Sequence, residues 1–275
     1  MSLVLVACSS ETVTSTAGSM TRYTATVTVL ENRQHGPQMC VATTLSNPPQ
    51  CVGADVKNWN WKIVESEAAG DTRWGIYRLV GTWDGKRLTL TEPPGTPSSA
   101  PPTPPKGLDE KFASPCPEPV GGWKPVNPAK ATEGAIRKVI EKAPTVKGFA
   151  GAWLDQGYLK GYESGPQSVD GANDPTKLVL NLKFAGKLSG HERWVRKIWG
   201  GALCLSGAER TDTELRRIQK DLRDEVEEIQ TSDISIVNNR VEAQVFVATN
   251  ELQQKFDFRY GKGAVILQSL MRSVG

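Results

Sequence analysis

The sequence is poor in histidine, has no Cys-x-x-Cys spacing, contains no long apolar run and carries little net charge. Each shortage removes a class of function. Only two histidines occur in 275 residues, so the side chain best suited to proton transfer near neutrality is scarce. His35 lies in Gln34-His35-Gly36-Pro37, a turn, and His191 opens a helix after Gly190; both read as turn or cap residues. No Gly-x-Ser-x-Gly marks a nucleophile elbow. Without Cys-x-x-Cys, the usual zinc and thioredoxin signatures are missing. No stretch of about 18 apolar residues is present to span a bilayer as a helix. The 33 basic and 30 acidic residues leave a net charge of +3, too balanced for nucleic acid or an anionic membrane face to be the expected main partner. No catalytic residue, cofactor or metal ligand set is expected.

What the sequence does have is five cysteines at uneven spacing: Cys8, Cys40, Cys51, Cys116 and Cys204. The last three lie beside Pro or Gly, which suits disulfides in loops. Four cysteines allow three connectivities; the expected one is Cys40–Cys51 with Cys116–Cys204. The first bridge would close ten intervening residues, worth about 3 kcal/mol on the chain-entropy account. The second closes a much longer loop, worth about 4–5 kcal/mol on the same account. Disulfides place the protein in an oxidising, extracytoplasmic compartment. The fifth cysteine ends Leu5-Val6-Ala7-Cys8 and precedes Ser9-Ser10, which reads as the end of a lipoprotein signal with Cys8 as the lipidated residue. The preceding apolar stretch is short and lacks the basic start of a full signal; a start upstream of Met1, a shortened chain and a chance likeness would each account for this. Residues 9–20 are small and polar, as in a tether.

Proline punctuates the chain most strongly between Glu92 and Pro115, where eight of 24 residues are Pro. Proline lacks an amide donor and fixes φ, so this stretch reads as a semi-rigid spacer. Before it, Tyr23–Leu30 alternates Thr with small apolar residues and predicts a strand. Met39–Leu45 and Trp59–Val64 predict two more, the latter with Trp59, Trp61 and Ile63 on one face. Gly75–Trp83 and Arg87–Leu90 flank Asp84-Gly85, a hairpin turn dipeptide. After the spacer, Pro128–Ala143 predicts a helix, Phe149–Leu154 and Leu178–Phe184 strands, His191–Trp199 a short helix, and Ala202–Leu205 a strand. Thr211 and Glu214 form a capping box ahead of an apolar stripe at Leu215, Ile218, Leu222, Val226 and Ile229. A hairpin around Asn238-Asn239, a helix over 250–260 stopped by Gly261, and a strand over 264–268 complete the chain. The expected organisation is a signal remnant and tether (1–20), a small all-β barrel, OB-like (21–92), a Pro-rich linker (93–115), and an α+β domain with an antiparallel sheet (116–275).

Several motifs carry a resemblance. Gly36-Pro37-Gln38-Met39-Cys40, Pro48-Pro49-Gln50-Cys51, Trp61, Trp74-Gly75-x-Tyr77 and Gly81-Thr82-Trp83-Asp84-Gly85 are similar to secreted or lipid-anchored proteins of unknown function from high-GC Gram-positive bacteria (actinobacteria). So are Cys116-Pro117-x-Pro119-x-Gly121-Gly122-Trp123 and Trp199-Gly200-Gly201-x-Leu203-Cys204. The likeness implies an extracytoplasmic location and paired cysteines, and brings no activity with it. The layout of 211–268 resembles the pro-regions of secreted chymotrypsin-like bacterial proteases, which bears on fold alone.

The remaining constellations read structurally. Asp221, Asp224, Glu225, Glu227 and Glu228 alternate with Arg216, Arg217, Lys220 and Arg223 at spacings that make i,i+4 pairs on a solvated helix face. Asp170-Gly171-Ala172-Asn173-Asp174 is oxygen-rich but lacks an EF-hand's spacing. Gly261-Lys262-Gly263 follows a helix, the wrong context for a phosphate loop. Trp59, Trp61, Trp74 and Trp83 suit a small β core, with Trp59 and Trp61 as the candidates to stack on a ligand. The expected function is a non-catalytic envelope lipoprotein, held to the outer face of the cytoplasmic membrane by its N-terminal lipid, that binds or scaffolds other envelope proteins. A secreted hydrolase and a cell-wall glycan binder are the alternatives.

Overall fold

The computed structural model describes residues 21–41, 43–97, 112–159 and 171–274. Cys8 and the tether lie outside them, as does most of the Pro-rich spacer. By its contacts the chain divides into two units, residues 1–97 with 271–275, and residues 98–270.

The first unit is built on alternation. Strand β1 (Arg22–Glu31) buries Ala25 and Val29, and it pairs antiparallel with β5 (Thr72–Trp83) along its whole length, Arg22 opposite Thr82 and Glu31 opposite Arg73. The β5–β6 hairpin forms where Asp84-Gly85 was expected to turn it: Asp84 Oδ1 accepts the amides of Lys86 (2.9 Å) and Arg87 (2.7 Å), and Gly85 has φ 98°. Those two amide bonds hold the Asp84 carboxyl below its ordinary range. Strand β6 (Arg87–Leu90) then pairs parallel with β3 (Ala54–Lys57), which pairs antiparallel with β2 (Gln38–Cys40), which pairs antiparallel with β1. The ring β1-β2-β3-β6-β5 therefore closes through β1–β5 into a five-stranded mixed barrel. Closure leaves no free edge within the ring. Leu79, Leu88, Val29, Met39 and Val56 lie in its core. Short β4 (Glu67–Ala69) extends the sheet beside β5, and the chain's last strand, β13 (Arg272–Val274), pairs with the start of β1.

Two strand expectations fail here. Met39–Leu45 stops as a strand at Cys40, because the Cys40–Cys51 disulfide (Cα–Cα 5.8 Å) turns the chain into a loop. The segment around Trp59 and Trp61 is a 3-10 turn (Trp61–Ile63), not a strand. Asn58 adopts φ 61°, and the Asn60 carboxamide caps the turn by accepting from Lys62 N (2.9 Å). Both devices satisfy the backbone locally, which removes it from a ladder.

The second unit repeats one topology twice. Helix α1 (Glu133–Lys142) leads to the antiparallel pair β7 (Phe149–Asp155) and β8 (Val179–Ala185), then helix α2 (His191–Ile198) crosses to β9 (Ala202–Ala208), parallel to β8. Helix α3 (Asp212–Glu225) leads to β10 (Thr231–Ser235) and β11 (Arg240–Val245), then α4 (Asn250–Tyr260) crosses to β12 (Val265–Ser269), parallel to β11. The expectation of an antiparallel sheet is therefore corrected to two three-stranded mixed sheets. A helix between the last two strands of each set returns the chain to the same end, which forces parallel pairing. The helix expected over Pro128–Ala143 is also divided: Pro128–Lys130 is a 3-10 turn, and α1 begins after Thr132, whose hydroxyl accepts Ala135 N (3.2 Å). The capping box at Thr211 and Glu214 is present in full.

Each sheet packs its helices on one face. In the first repeat Ile136, Val139, Leu180, Leu182, Phe184 and Trp199 form the core. In the second it is Leu215, Ile218, Leu222, Val241, Val245 and Phe256. The repeats meet where Gly151 leaves no room for a side chain, a Cβ there falling 2.2 Å from Ile236 Cγ2. Asn239 locks the joint by accepting the amides of Glu209 (3.0 Å) and Arg210 (2.9 Å) and donating to Arg210 O (2.8 Å).

Candidate binding groove

On the barrel unit, three turns enclose a groove of about 870 Å³. The β1–β2 turn contributes Asn32, Arg33 and Gln34; the β2–β3 loop contributes Thr44, Gln50 and Val52; the β4–β5 turn contributes Asp71. Each wall is shaped by local polar bonding. Asn32 Oδ1 accepts the amides of Gln34 (2.8 Å) and His35 (3.2 Å), an Asx turn that ends β1. Thr44 and Gln50 exchange bonds across the second loop: Thr44 N donates to Gln50 O (3.0 Å) and Gln50 N to Thr44 Oγ1 (2.9 Å). Ser46 Oγ donates to Pro48 O (2.8 Å). The Cys40–Cys51 bridge closes this loop at its base. Gly53 leaves the loop against β2, where a Cβ would lie 2.0 Å from Met39 O. Arg33 reaches Asp71 across the mouth (3.2 Å). The groove thus offers amides, hydroxyls and one guanidinium–carboxylate pair, while Leu45 and Val52 stand fully exposed on the loop. The one sulfur in the lining, Cys51, is tied in a disulfide.

The four remaining cysteines form the two bridges expected, Cys40–Cys51 and Cys116–Cys204, the latter with Cα atoms 5.7 Å apart. Two disulfides are compatible with an extracytoplasmic location. The helix with alternating charge ends at Glu225, so Glu227, Glu228 and Ile229, expected on it, lie beyond it; Arg217–Asp221 and Lys220–Asp224 pair as expected, and Arg216 pairs with Asp212. Gly261, at φ 91°, stops α4.

Trp59 and Trp61 meet each other edge to face (5.0 Å between ring centroids), and both lie edge-on to Tyr77 (5.0 and 6.3 Å). Trp61 Nε1 donates to Glu31, Arg73 lies 5.7 Å from the Trp61 ring centre, and Tyr77 OH donates to Glu65 O (2.5 Å). Burial pushes the Tyr77 hydroxyl up, with Arg73 opposing. Both tryptophans are half-buried, and neither lines the groove. His35 sits in its turn with Nδ1 on Gly36 O (2.8 Å), and His191, the first residue of α2, stacks on Phe184 (3.8 Å). Asp170 lies outside the described residues; Asp174 spends its carboxylate on Thr176 and Lys177. Among the described residues no three His, Cys, Asp or Glu side chains converge on a metal-sized site.

The groove residues were not singled out from sequence. Asn, Gln, Thr and Arg in turns carry no motif; the available signal was two turn-rich stretches, Gln34–Pro37 and Asn47–Gln50, on either side of Cys40. A scan against protein-family models returns no match for this chain, and a search of curated proteins returns none either.

Proposed function

We propose that the protein is a non-catalytic binding or scaffold subunit of the cell envelope, tethered outside the cytoplasmic membrane by a lipid on Cys8, with the barrel as its binding domain and the unit beyond the Pro-rich spacer as a second domain. The observation that carries this reading is the groove beside a disulfide-clamped loop that displays Leu45 and Val52. With short β4 set aside, the barrel strands follow the order 1-2-3-5-4-1 with a parallel closing pair. That is an OB-like arrangement, and such barrels bind ligands beside the loop after their first strand, where Asn32, Arg33 and Gln34 lie. A preformed groove beside a loop closed by a disulfide reduces the entropy lost on association. The occupant proposed is a segment of another envelope protein, seated by backbone hydrogen bonds to the groove and by apolar contact with Val52.

The test is affinity purification from native membranes followed by mass spectrometry, wild type against Gln50→Ala/Val52→Asp. The expected result is an acylated Cys8 at the mature terminus, four oxidised cysteines, and a co-purifying protein recovered only with wild type. Five free thiols and an unmodified start, or equal recovery with the variant, would overturn it. The same lining of amides and hydroxyls favours a second reading, a cell-wall glycan held in the groove, which sedimentation with insoluble cell wall would show.

A further inference from the structure

We infer that the outer surface of helices α1 and α2 docks on an anionic lipid bilayer. The whole-chain charge of +3 is an average, and the fold separates what the average mixes. On α1, buried Ala135, Ile136 and Val139 fix the inner face, so Arg137 and Lys138 point outward. On α2, buried Val195 and half-buried Trp194 and Ile198 do the same, and Arg193 and Lys197, one turn apart, point outward. The two helices run antiparallel side by side: Lys130, just before α1, donates to Lys197 O (3.2 Å), and Lys142, at the end of α1, lies 5.3 Å from the Trp194 ring centre. Six cations, Lys130, Arg137, Lys138, Lys142, Arg193 and Lys197, therefore lie on or beside these two adjacent helices. The acids on these helices are Glu133, Glu141 and Glu192, and Glu192 is committed to half-buried Arg196 (3.3 Å). Arg137, Lys138, Arg193 and Lys197 have no ion-pair partner among the described residues.

The second repeat makes the contrast. The equivalent leading helix, α3, carries four cations and pairs three of them, Arg216, Arg217 and Lys220, with acids one turn away. Acids outnumber cations five to four on α3, whereas on α1 and α2 the cations, Arg196 included, outnumber the acids six to three. A bilayer suits the surface better than a phosphate polymer. The surface is two helices wide without a channel to follow a strand, and exposed Ile140 with half-buried Trp194 supplies the apolar and aromatic contacts favoured at headgroup depth. Each Lys or Arg near an anionic lipid surface adds an attraction that salt screens. This inference is independent of the barrel groove.

The test uses the full chain with Cys8→Ser, so that no acyl chain contributes, sedimented with vesicles of phosphatidylglycerol in phosphatidylcholine and with vesicles of phosphatidylcholine alone. Binding is expected to the first and not the second, and to fall as salt is raised. Arg137→Gln/Lys138→Gln/Arg193→Gln/Lys197→Gln should lower the partition coefficient on the order of 100-fold or more. A charge-matched control, Arg216→Gln/Arg217→Gln/Lys220→Gln/Arg223→Gln on α3, should keep most of it, and near-ultraviolet circular dichroism reports whether each variant is folded. Equal binding to neutral vesicles, no effect of the α1/α2 variant, or an equal loss in the control would overturn the inference. Capture by polyphosphate without capture by vesicles would also overturn it, assigning the surface to a soluble polyanion.

Discussion

Residues 132–208 and residues 211–269 pass through the same five elements with the same strand pairing, yet they use the far sides of their sheets differently. On the helix side they match: Leu180, Leu182 and Phe184 on β8 correspond to Val241, Ala243 and Val245 on β11. On the far side, β11 presents Arg240, Glu242 and Gln244, all half-buried and each satisfied: Arg240 bonds Glu242 (2.9 Å), Gln268 donates to Glu242 (3.1 Å), and Thr231 donates to Gln244 (2.9 Å). The matching β8 residues, Val179, Asn181 and Lys183, are buried. Val179 packs with Cys204 beneath Cys116 and Trp123, a segment held by the Cys116–Cys204 bridge, by Trp153 Nε1 donating to Phe112 O (2.8 Å) and by Asp155 accepting Ser114 N (2.7 Å), while Lys183 lies against Val237 and Trp153. Covering the sheet leaves the Asn181 carboxamide oxygen and the Ser206 hydroxyl without hydrogen-bond partners among the described residues. A repeated topology thus dictates one apolar face and leaves the other free; polar burial on that face costs stability, and the disulfide offsets part of the cost.

The sharpest check on equivalence is the shared core. Phe184→Ala and Phe256→Ala should each destabilise their own repeat by about 3–5 kcal/mol, since both rings are almost fully buried. Denaturant titration measures this, and a cost below about 1 kcal/mol for either would break the pairing of the two cores. Next in size is the staple that only the first repeat has. Cys116→Ala/Cys204→Ala should cost about 2–4 kcal/mol, with amide exchange accelerating in β8 and β9 while β11 and β12 keep their protection. Exchange rising equally in both sheets would mean that the repeats unfold as one. Smaller still is the difference between helix starts. Thr211→Ala should cost about 1–2 kcal/mol because it dismantles a reciprocal box, and Thr132→Ala about 0.5–1 kcal/mol because it removes a single cap. Thermal melts of the two variants, compared directly, decide the order.

Much of this is legible in the sequence. The β5–β6 hairpin was readable because Asp84-Gly85 is a local device, and α3 because the Thr211 box and its apolar stripe agree. The repeat was hidden although nearly all its elements could be read, because residues 156–178 stretch the connection between β7 and β8 far beyond the four-residue turn between β10 and β11. Parallel pairing was missed because alternation specifies faces and says nothing of direction. The barrel was readable as a class, but Trp59 and Trp61 misled: period two was present in the letters, while Asn58 and Asn60 offered the backbone a turn that outcompeted the strand. The groove had no signature at all, since its lining is assembled from three turns distant in sequence. The cationic surface needed both helices placed side by side before whole-chain balance could be seen as two unlike halves.

Lys183 gives the finest test of what the cover costs. Lys183 is buried as a residue, its amine donates to Val237 O (2.5 Å) and lies 5.7 Å from the Trp153 ring centre, and partial desolvation lowers its pKa from the ordinary 10.5. Over the alkaline range between that lowered value and 10.5, the unfolded chain holds a proton at this site that the folded chain has released. Stability must therefore rise with pH through this window and level off above it. Lys183→Met removes the titrating group, so the stability of wild type minus that of the variant should climb as pH approaches 10.5, whatever the offset at neutrality from the lost bond to Val237. Contributions from Tyr77 and Tyr260, both shifted up by burial, appear in both proteins and cancel in the difference. Gln244→Met, at the matching place on the uncovered sheet, should show no such slope. If paired urea titrations gave parallel pH profiles for wild type and Lys183→Met, water would have free access to the amine, and Val237 and Trp153 would not cover Lys183 as described.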